Sequence, residues 1–510
     1  MKMKLFIHII CLFLIASQHT NAQKRNNVWC FGDSTGIDFN NGPIPITTSL
    51  NTRGSCVSYC DTTGQLQLYA STGDNNDFTN FPFYARVFNS SNLLVANGDS
   101  IRGIGWYKEL VLIPMPDDSM KYYLFSIGVT SGPGFSYSII DMAQNGGLGE
   151  VVQKNVILES FYVVDGLSAV KHGNGRDWWI VLRNASVYSN DQYVYLVTHN
   201  GISIPLIQSV GSDNHTNAGR YEFAPEGNKL IYITYTGLLE LYDFDRCTGF
   251  ISNPITIQPT PTSAPYGWFI GCEFSASGRF LYVSTNHPTV SVLIQYDLWS
   301  SNPAATCDTL EFSSIPQISN GFLKRGPDQK IYFSKSWECG AFPDCYPYPD
   351  SVYNYVNMNL SVINYPDSLG TACGYAPFSF YLGGKRTYYG LPNNPDYDMP
   401  ALAGSPCDTL VSINEPASSG SSNANLHVYY APDWEKAFIN VDKLKGKNYR
   451  LRMVDVLGKE VYAESGVLNS PYFTKNLNCA SFAKGMYLIT FETDSYRSER
   501  ERMVKKFVVE

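Results

Sequence analysis

An all-β fold is predicted by three features of the 510-residue sequence: 14% of its side chains are aromatic, only 16% are charged, and 41 Gly and 28 Pro supply turns. Tyr and Phe suit the pleated, half-buried surface of a strand, while Gly and Pro punctuate short strands. The same profile excludes a disordered chain, a collagen and a coiled coil.

The chain opens with Lys2 and Lys4, an apolar run from Leu5 to Ala16 and small residues before a cut after Ala22. This is the pattern of a secretory signal peptide, read over residues 1–22. Spanning a bilayer takes about 20 apolar residues, and no later run approaches that length, so the mature chain is expected to hold no transmembrane helix. Cys11 lies inside the apolar run and not at the cut, which argues against a lipid anchor.

Seven twelve-residue windows then share a polar turn followed by an aromatic strand: CDTTGQLQLYAS, MPDDSMKYYLFS, KHGNGRDWWIVL, FAPEGNKLIYIT, FSASGRFLYVST, RGPDQKIYFSKS and FYLGGKRTYYGL. Their fifth residues are Gly64, Ser119, Gly175, Gly227, Gly278, Gln329 and Gly384, at intervals of 55, 56, 52, 51, 51 and 55. A period of this size marks blades or solenoid turns. Each unit reads as four strands with no sustained helical period, which favours a β-propeller over residues 23–405.

A propeller closes by joining its last blade to its first. The seventh window runs into GLPNNPDYDMP, too rich in Pro and Asn for two more strands. The expected remedy is a last blade stitched two plus two, with NVWCFGD (27–33) and IDFNNGPIPIT (37–47) as its third and fourth strands. Seven blades follow, with six or eight as the neighbouring alternatives. Most of the repeated aromatics are read as packing between blades. Trp178 and Trp179, adjacent in a strand, must face opposite sides.

Residues 406–425 are rich in Ser, Gly and Asn and read as a linker. Residues 426–510 carry strand candidates at 426–430, 437–441, 449–456, 459–463, 485–492 and 503–509, a small Ig-like β-sandwich.

This tail resembles a known family. MVDVLGKEVY (Met453 to Tyr462), KGMYLITFE (Lys484 to Glu492) and the terminal KKFVVE (Lys505 to Glu510) are similar, in order and spacing, to the C-terminal sorting domain of type IX secretion cargo. The turn APDWEK (431–436) departs from the family's usual Asn-Pro turn. The resemblance implies that Asp455, Leu457, Gly458, Lys459, Gly485, Tyr487, Lys505 and Lys506 belong to a sorting signal. It also implies handling by the type IX secretion machinery, release from the cell or attachment to its outer surface, and frequent removal of the tail on export. Through DFDRCTGFISNP (243–254) and GLPN (390–393), the body resembles secreted bacterial propellers of the same system, with no chemistry attached.

Net charge is −8. The tail holds 14 basic and 11 acidic residues, leaving the body at −11, or −13 without the leader's two lysines. An acidic body with no basic stripe argues against nucleic acid and anionic membranes. Eleven cysteines remain after the leader is cut. Cys56 and Cys60, about 13 Å apart along an extended strand, cannot bridge each other. Cys339 and Cys345 bracket a Pro-containing loop and either close it or stay free. No pair has the spacing that marks a zinc site.

Catalytic signatures are missing: there is no GxSxG elbow, HExxH or P-loop. His172, His199, His215, His287 and His427 form no ligand pair and read as loop or surface residues. Asp74 and Asp77 offer hard oxygen ligands for calcium, but without EF-hand spacing they read as a solvated turn. Neither a cofactor nor a metal is expected. The favoured function is a binding or adhesion module for a glycan, peptide or surface protein. Its contact loop runs from Trp337 to Asn354, with Trp337, Tyr346 and Tyr348 as the candidate ligand-binding residues. A polysaccharide lyase or glycosidase on the same ring is the alternative, and a purely structural surface component the third class.

Overall fold

The structure, a computed structural model of the chain, describes residues 24–73, 84–103, 105–129, 134–186, 188–213, 216–258, 267–287, 289–337, 352–408, 424–431, 435–442, 444, 447–455, 459–468, 470, 472–494 and 501–509. Among them, seven antiparallel sheets follow one another before the tail. The first holds Val28–Phe31, Asp33–Asp38 and Ile44–Asn51; the second Cys56–Cys60, Leu66–Ser71, Tyr84–Asn89 and Ile101–Arg102. The third comprises Leu110–Met115, Asp118–Gly128, Gly134–Asp141 and Glu150–Glu159. In the fourth, Ser168–Lys171, Trp178–Arg183 and Asp191–Thr198 are edged by Gly201–Ile202 and Leu206–Ser209. The fifth has Gly219–Phe223, Lys229–Thr234, Leu239–Phe244 and Ile251–Gln258; the sixth Phe269–Phe274, Phe280–Thr285, Ser291–Asp297 and Asp308–Ser313. The seventh is built from Ile318–Arg325, Ile331–Trp337, Asn359–Ile363 and Tyr375–Tyr381.

Apolar clusters join these sheets in series. Sheets two, three and four meet through Leu68, Leu112, Phe125 and Trp178; four and five through Trp179, Val181 and Tyr232. Sheets five and six share Leu241, Phe274 and Val283; six and seven share Tyr282, Phe333 and Ile363. The last cluster unites Tyr332 and Leu360 of the seventh sheet with Trp29 of the first and Tyr69 of the second, so the series returns to its start. A closed ring of packed sheets is a β-propeller, and closure is what removes exposed sheet edges. Trp178 and Trp179 fall in different clusters, as their alternation requires.

Six of the seven repeated turns sit between the first and second strands of sheets two to seven. Gly64, Gly175, Gly227, Gly278 and Gln329 all take positive φ there. In the third sheet the hairpin is tighter, Met115 pairing with Asp118, and Asp117 at φ 69° takes the role instead of Ser119.

Closure differs from the expected two-plus-two blade. All three strands of the first sheet come from the N-terminal segment, with Val28–Phe31 innermost and not third. The seventh window contributes only an isolated bridge between Asp33 and Arg386. Its backbone is committed elsewhere: Thr387 N–H donates to Asn357 O at 2.7 Å and Tyr389 O accepts from Phe322 N–H at 2.9 Å. A strand needs those groups for its own ladder.

The tail forms two sheets. Asn425–Ala431, Lys436–Asp442 and Phe473–Asn478 make one, and Glu460–Val467, Asn448–Asp455, Gly485–Thr493 and Glu501–Val509 the other. One core of Ile439, Val441, Leu451, Ile489 and Phe491 lies between them, the arrangement of a sandwich. Phe473–Asn478 is a strand the sequence reading lacked.

Cys56 and Cys60 are free and buried in one strand. The disulfide observed is Cys247–Cys407, spanning 160 residues with a Cα–Cα distance of 5.4 Å. Cys339, Cys345, Asp74 and Asp77, the leader and most of the linker lie outside the described residues. His172 is buried, not on the surface, its Nε2 3.0 Å from Cys247 O and its Nδ1 accepting Asn174 N–H.

Candidate functional site

After Tyr381 the chain enters the middle of the ring. Asn393 N–H donates to Cys56 O at 2.8 Å, and its side-chain amide donates to Leu110 O at 2.9 Å and Leu167 O at 2.8 Å. Asn394 Oδ1 accepts Ser58 N–H at 2.9 Å, while its carbonyl accepts from Lys324 Nζ at 2.8 Å. Tyr397 reaches Leu112 O with its hydroxyl at 2.9 Å. A segment bonded to sheets two, three and seven and to the start of sheet four lies on the ring axis. Pro392, Pro395 and Pro400 lack the N–H a ladder needs, whereas two asparagines can satisfy carbonyls on several sides at once. The stretch that could not be a strand is the axial plug.

One end of the axis is sealed. The Tyr107 ring lies 5.5 Å from both Phe322 and Tyr389, with the Arg53 guanidinium at 5.1 Å and that of Arg220 at 5.2 Å. These five residues come from different parts of the ring and meet on its axis. Backbone contact there is tight enough to require glycine: a Cβ on Gly390 would stand 1.9 Å from Gly54 O.

Beyond the seal and beside the plug lies a cavity of about 570 Å³. Glu222, Glu273 and Lys324 line it from the inner strands of sheets five, six and seven, facing Asn393, Asn394 and Asp396 of the plug. The three charged residues hold one repeat position, each immediately before its window and 51 residues from the next. At that register the second, third and fourth sheets carry Tyr59, Pro114 and Val170. Inner-strand residues at this position point to the axis, as the Tyr59 ring 4.9 Å from Tyr397 shows.

The electrostatics separate the two acids. Lys108 donates to Glu222 and, at 3.0 Å, to Tyr221 O. Lys324 Nζ stands 3.7 Å from the other Glu222 oxygen. Burial pushes the Glu222 carboxyl up, but Lys108 and Lys324 outweigh it and hold the group below the usual glutamate range. Glu273 is raised, first by burial and then by the charge of Glu222. Its two oxygens accept N–H groups of Phe274 and Arg325, each at 2.9 Å. The cavity therefore presents an anion held ionised beside an acid that keeps its proton more readily, with Lys324 as a donor between sheet and plug. Trp29 and Phe39, 4.9 Å apart, add apolar wall.

The expected contact residues are elsewhere. Trp337 is half-buried at the far end of the strand whose near end adjoins the cavity, about 20 Å away at the rise of an extended chain. Tyr346 and Tyr348 lie outside the described residues. At the foot of their loop, Tyr353 and Tyr355 are exposed; the Tyr353 hydroxyl donates to Asp33 at 3.0 Å and Arg386 caps its ring at 4.5 Å. In the tail, Asp455 and Lys459 close a turn with paired backbone and side-chain bonds, both at 3.0 Å. Leu457 and Gly458 fall outside the described residues. Gly485 has open space where a Cβ would be, buried Tyr487 stacks near Phe507, and Lys505 is exposed on the last strand, with Lys506 following it. Among the described residues no helix is long and apolar enough to cross a membrane, and no cluster of three metal-binding side chains occurs.

Fold and site together define a β-propeller with a blind axial cavity, followed by a separate sandwich. Residues 427–510 match the family described as secretion system C-terminal sorting domain, so the sandwich is the address that sends this chain through the type IX system to the cell surface or beyond. No curated protein matches the chain. Among solved structures, similar folds include a functionally unknown protein from Desulfotomaculum acetoxidans, 13% identical, TM-score 0.39, covering 72% of this chain and 98% of that one. A periplasmic gluconolactonase of Pseudomonas aeruginosa is 11% identical at TM-score 0.35, covering 81% and 100%. The Swd1 β-propeller domain of Myceliophteria thermophila is 9% identical at TM-score 0.36, covering 61% and 92%. None of these likenesses bears on the chemistry of the axial cavity.

Proposed function

We propose that the protein is an exported binding module whose ligand, a neutral glycan end, enters the axial cavity. The observation that carries this reading is the charged trio Glu222, Glu273 and Lys324, placed by three consecutive repeats at one position around a pocket sealed at its far end. A cavity of about 570 Å³ falls in the range of small-ligand sites. Carboxylates accept sugar hydroxyls, Lys324 and the plug asparagines donate to ring and hydroxyl oxygens, and the five acids lining the wall outnumber its three bases, which disfavours an anion. A neutral polyol suits that wall better than an anionic sugar. Trp337 and the exposed tyrosines around Tyr355 then serve as an outer contact for a longer polymer or a surface protein.

A second reading has its own support. Two carboxyls on one cavity displaced in opposite directions, Glu222 below and Glu273 above the usual glutamate range, are the kind of contrast by which a polysaccharide-cleaving enzyme separates base from acid. One experiment separates the two. The exported protein is screened on a glycan array, and every glycan that binds is incubated with it and assayed for new reducing ends and unsaturated products. Binding without turnover supports the module; turnover lost in Glu273→Gln establishes the enzyme; an array with no binder overturns both.

A further inference from the structure

The axial plug is held at two levels. Hydrogen bonds of Asn393, Asn394 and Tyr397 fix it inside the ring. Past the cavity mouth the chain crosses sheets four and five as a strap. Arg25 pairs with Asp398 at 2.7 Å, Arg246 donates to Pro400 O at 2.7 Å, and Leu402 N–H donates to Gly173 O at 2.7 Å. Arg246 also reaches Lys171 O at 2.8 Å, and its own carbonyl accepts the Trp179 indole N–H at 2.8 Å, so the strap's anchor is set in packed structure. Beside that anchor the strap ends in the Cys247–Cys407 disulfide. A Cβ on Gly173 would fall 2.3 Å from Cys407 Sγ, which shows how closely the bridge is pressed onto sheet four's first turn. Beyond Cys407 come the linker and the sorting tail.

The position of the bridge matters more than its existence. A staple placed to hold two sheets together would join two blades; this one joins a blade to the end of the strap, after the last plug contact and at the very start of the linker. Tension or cleavage anywhere past Cys407 therefore ends at sheet five and does not reach Asn393. We propose that Cys247–Cys407 is a latch that keeps the axial plug seated independently of the tail, and that its reduction frees the strap and unfloors the cavity while the ring stays folded. The opening step is balanced: a dithiol reductant gives two electrons and two protons, the S–S bond becomes two thiols, and the dithiol closes to its own disulfide. This inference rests on the plug's geometry and not on the identity of any ligand.

The test is hydrogen–deuterium exchange on the full exported chain, oxidised and then treated with dithiothreitol after folding. Oxidised protein should protect the amides of Asn393 and Leu402 as well as those of Cys56–Cys60. Reduction should speed exchange over 396–405 by roughly tenfold or more, the behaviour of a locally opening unit, and leave the inner strands unchanged. A site-specific protease cut engineered in 409–423 should alter neither state until reductant is added. Unchanged exchange over 396–405 after confirmed reduction would overturn the proposal. So would a rise shared equally by every sheet, which would make the bridge a general staple. Because the wild-type protein is reduced after folding, the result does not depend on whether Cys247→Ser/Cys407→Ser folds.

Discussion

Glu222 and Glu273 occupy the same place in consecutive repeats, 51 residues apart, and open onto one cavity with their acidities displaced in opposite directions. Lys108 makes the difference: it is hydrogen-bonded to Glu222, with Lys324 3.7 Å away, whereas at Glu273 burial and the Glu222 charge outweigh the lowering effect of Lys324 and Arg325.

That asymmetry sets a pH-dependent stability. Glu222 is depressed in the folded protein, so its contribution is present above the ordinary glutamate value of about 4.3 and is lost as pH falls through the lower folded value. Glu222→Gln leaves Lys108 and Lys324 without their anion and should cost on the order of 3 kcal/mol at pH 7, the scale of breaking a buried pair. Denaturant melts of both proteins at pH 7 and pH 3.5 should show the gap narrowing at the lower pH.

Asn393→Ala should loosen the ring from its centre. Two buried carbonyls, Leu110 O and Leu167 O, lose their side-chain donor, a loss of about 1–3 kcal/mol for each group left unpaired. Urea unfolding measures it, and Asn393→Asp should be at least as damaging because a carboxylate has no N–H to give.

Gly390→Ala tests how tightly the axis is closed. Its methyl would sit 1.9 Å from Gly54 O, backbone that cannot swing aside. The variant should lose at least about 4 kcal/mol or fail to accumulate folded, as read by near-ultraviolet circular dichroism and thermal melts.

Cys30, Cys56 and Cys60 should stay unmodified in the native state. All three are buried, and burial pushes the Cys60 thiol up to about 12, with Cys30 and Cys56 also raised. Alkylation at pH 8 followed by peptide mass spectrometry should find the exposed Cys307 modified and these three untouched until denaturant is added.

Much of the architecture was legible because a turn that needs positive φ leaves a residue signature, and Gly64, Gly175, Gly227 and Gly278 repeat it at near-constant spacing. The tail was legible for the same local reason, its strands alternating around short turns. Closure was not: whether residues after Gly384 ladder onto the first sheet or dive into the axis depends on which carbonyls Asn393 finds, and those belong to strands more than 200 residues away. The Cys247–Cys407 pairing is equally non-local. The axial acids were visible in principle, since Glu222, Glu273 and Lys324 stand where other repeats carry Tyr59, Pro114 and Val170. The residue just before each window carries that pattern.

The central claim is that ligand enters the axial cavity and not the aromatic rim. Isothermal titration of one array-selected glycan fragment against wild type, Glu273→Gln and Tyr355→Ala tests it most directly. The account predicts that the isosteric Glu273→Gln change weakens binding of a mono- or disaccharide by at least about tenfold, roughly 1.4 kcal/mol, while Tyr355→Ala leaves it unchanged. Full affinity in Glu273→Gln together with its loss in Tyr355→Ala would contradict the claim.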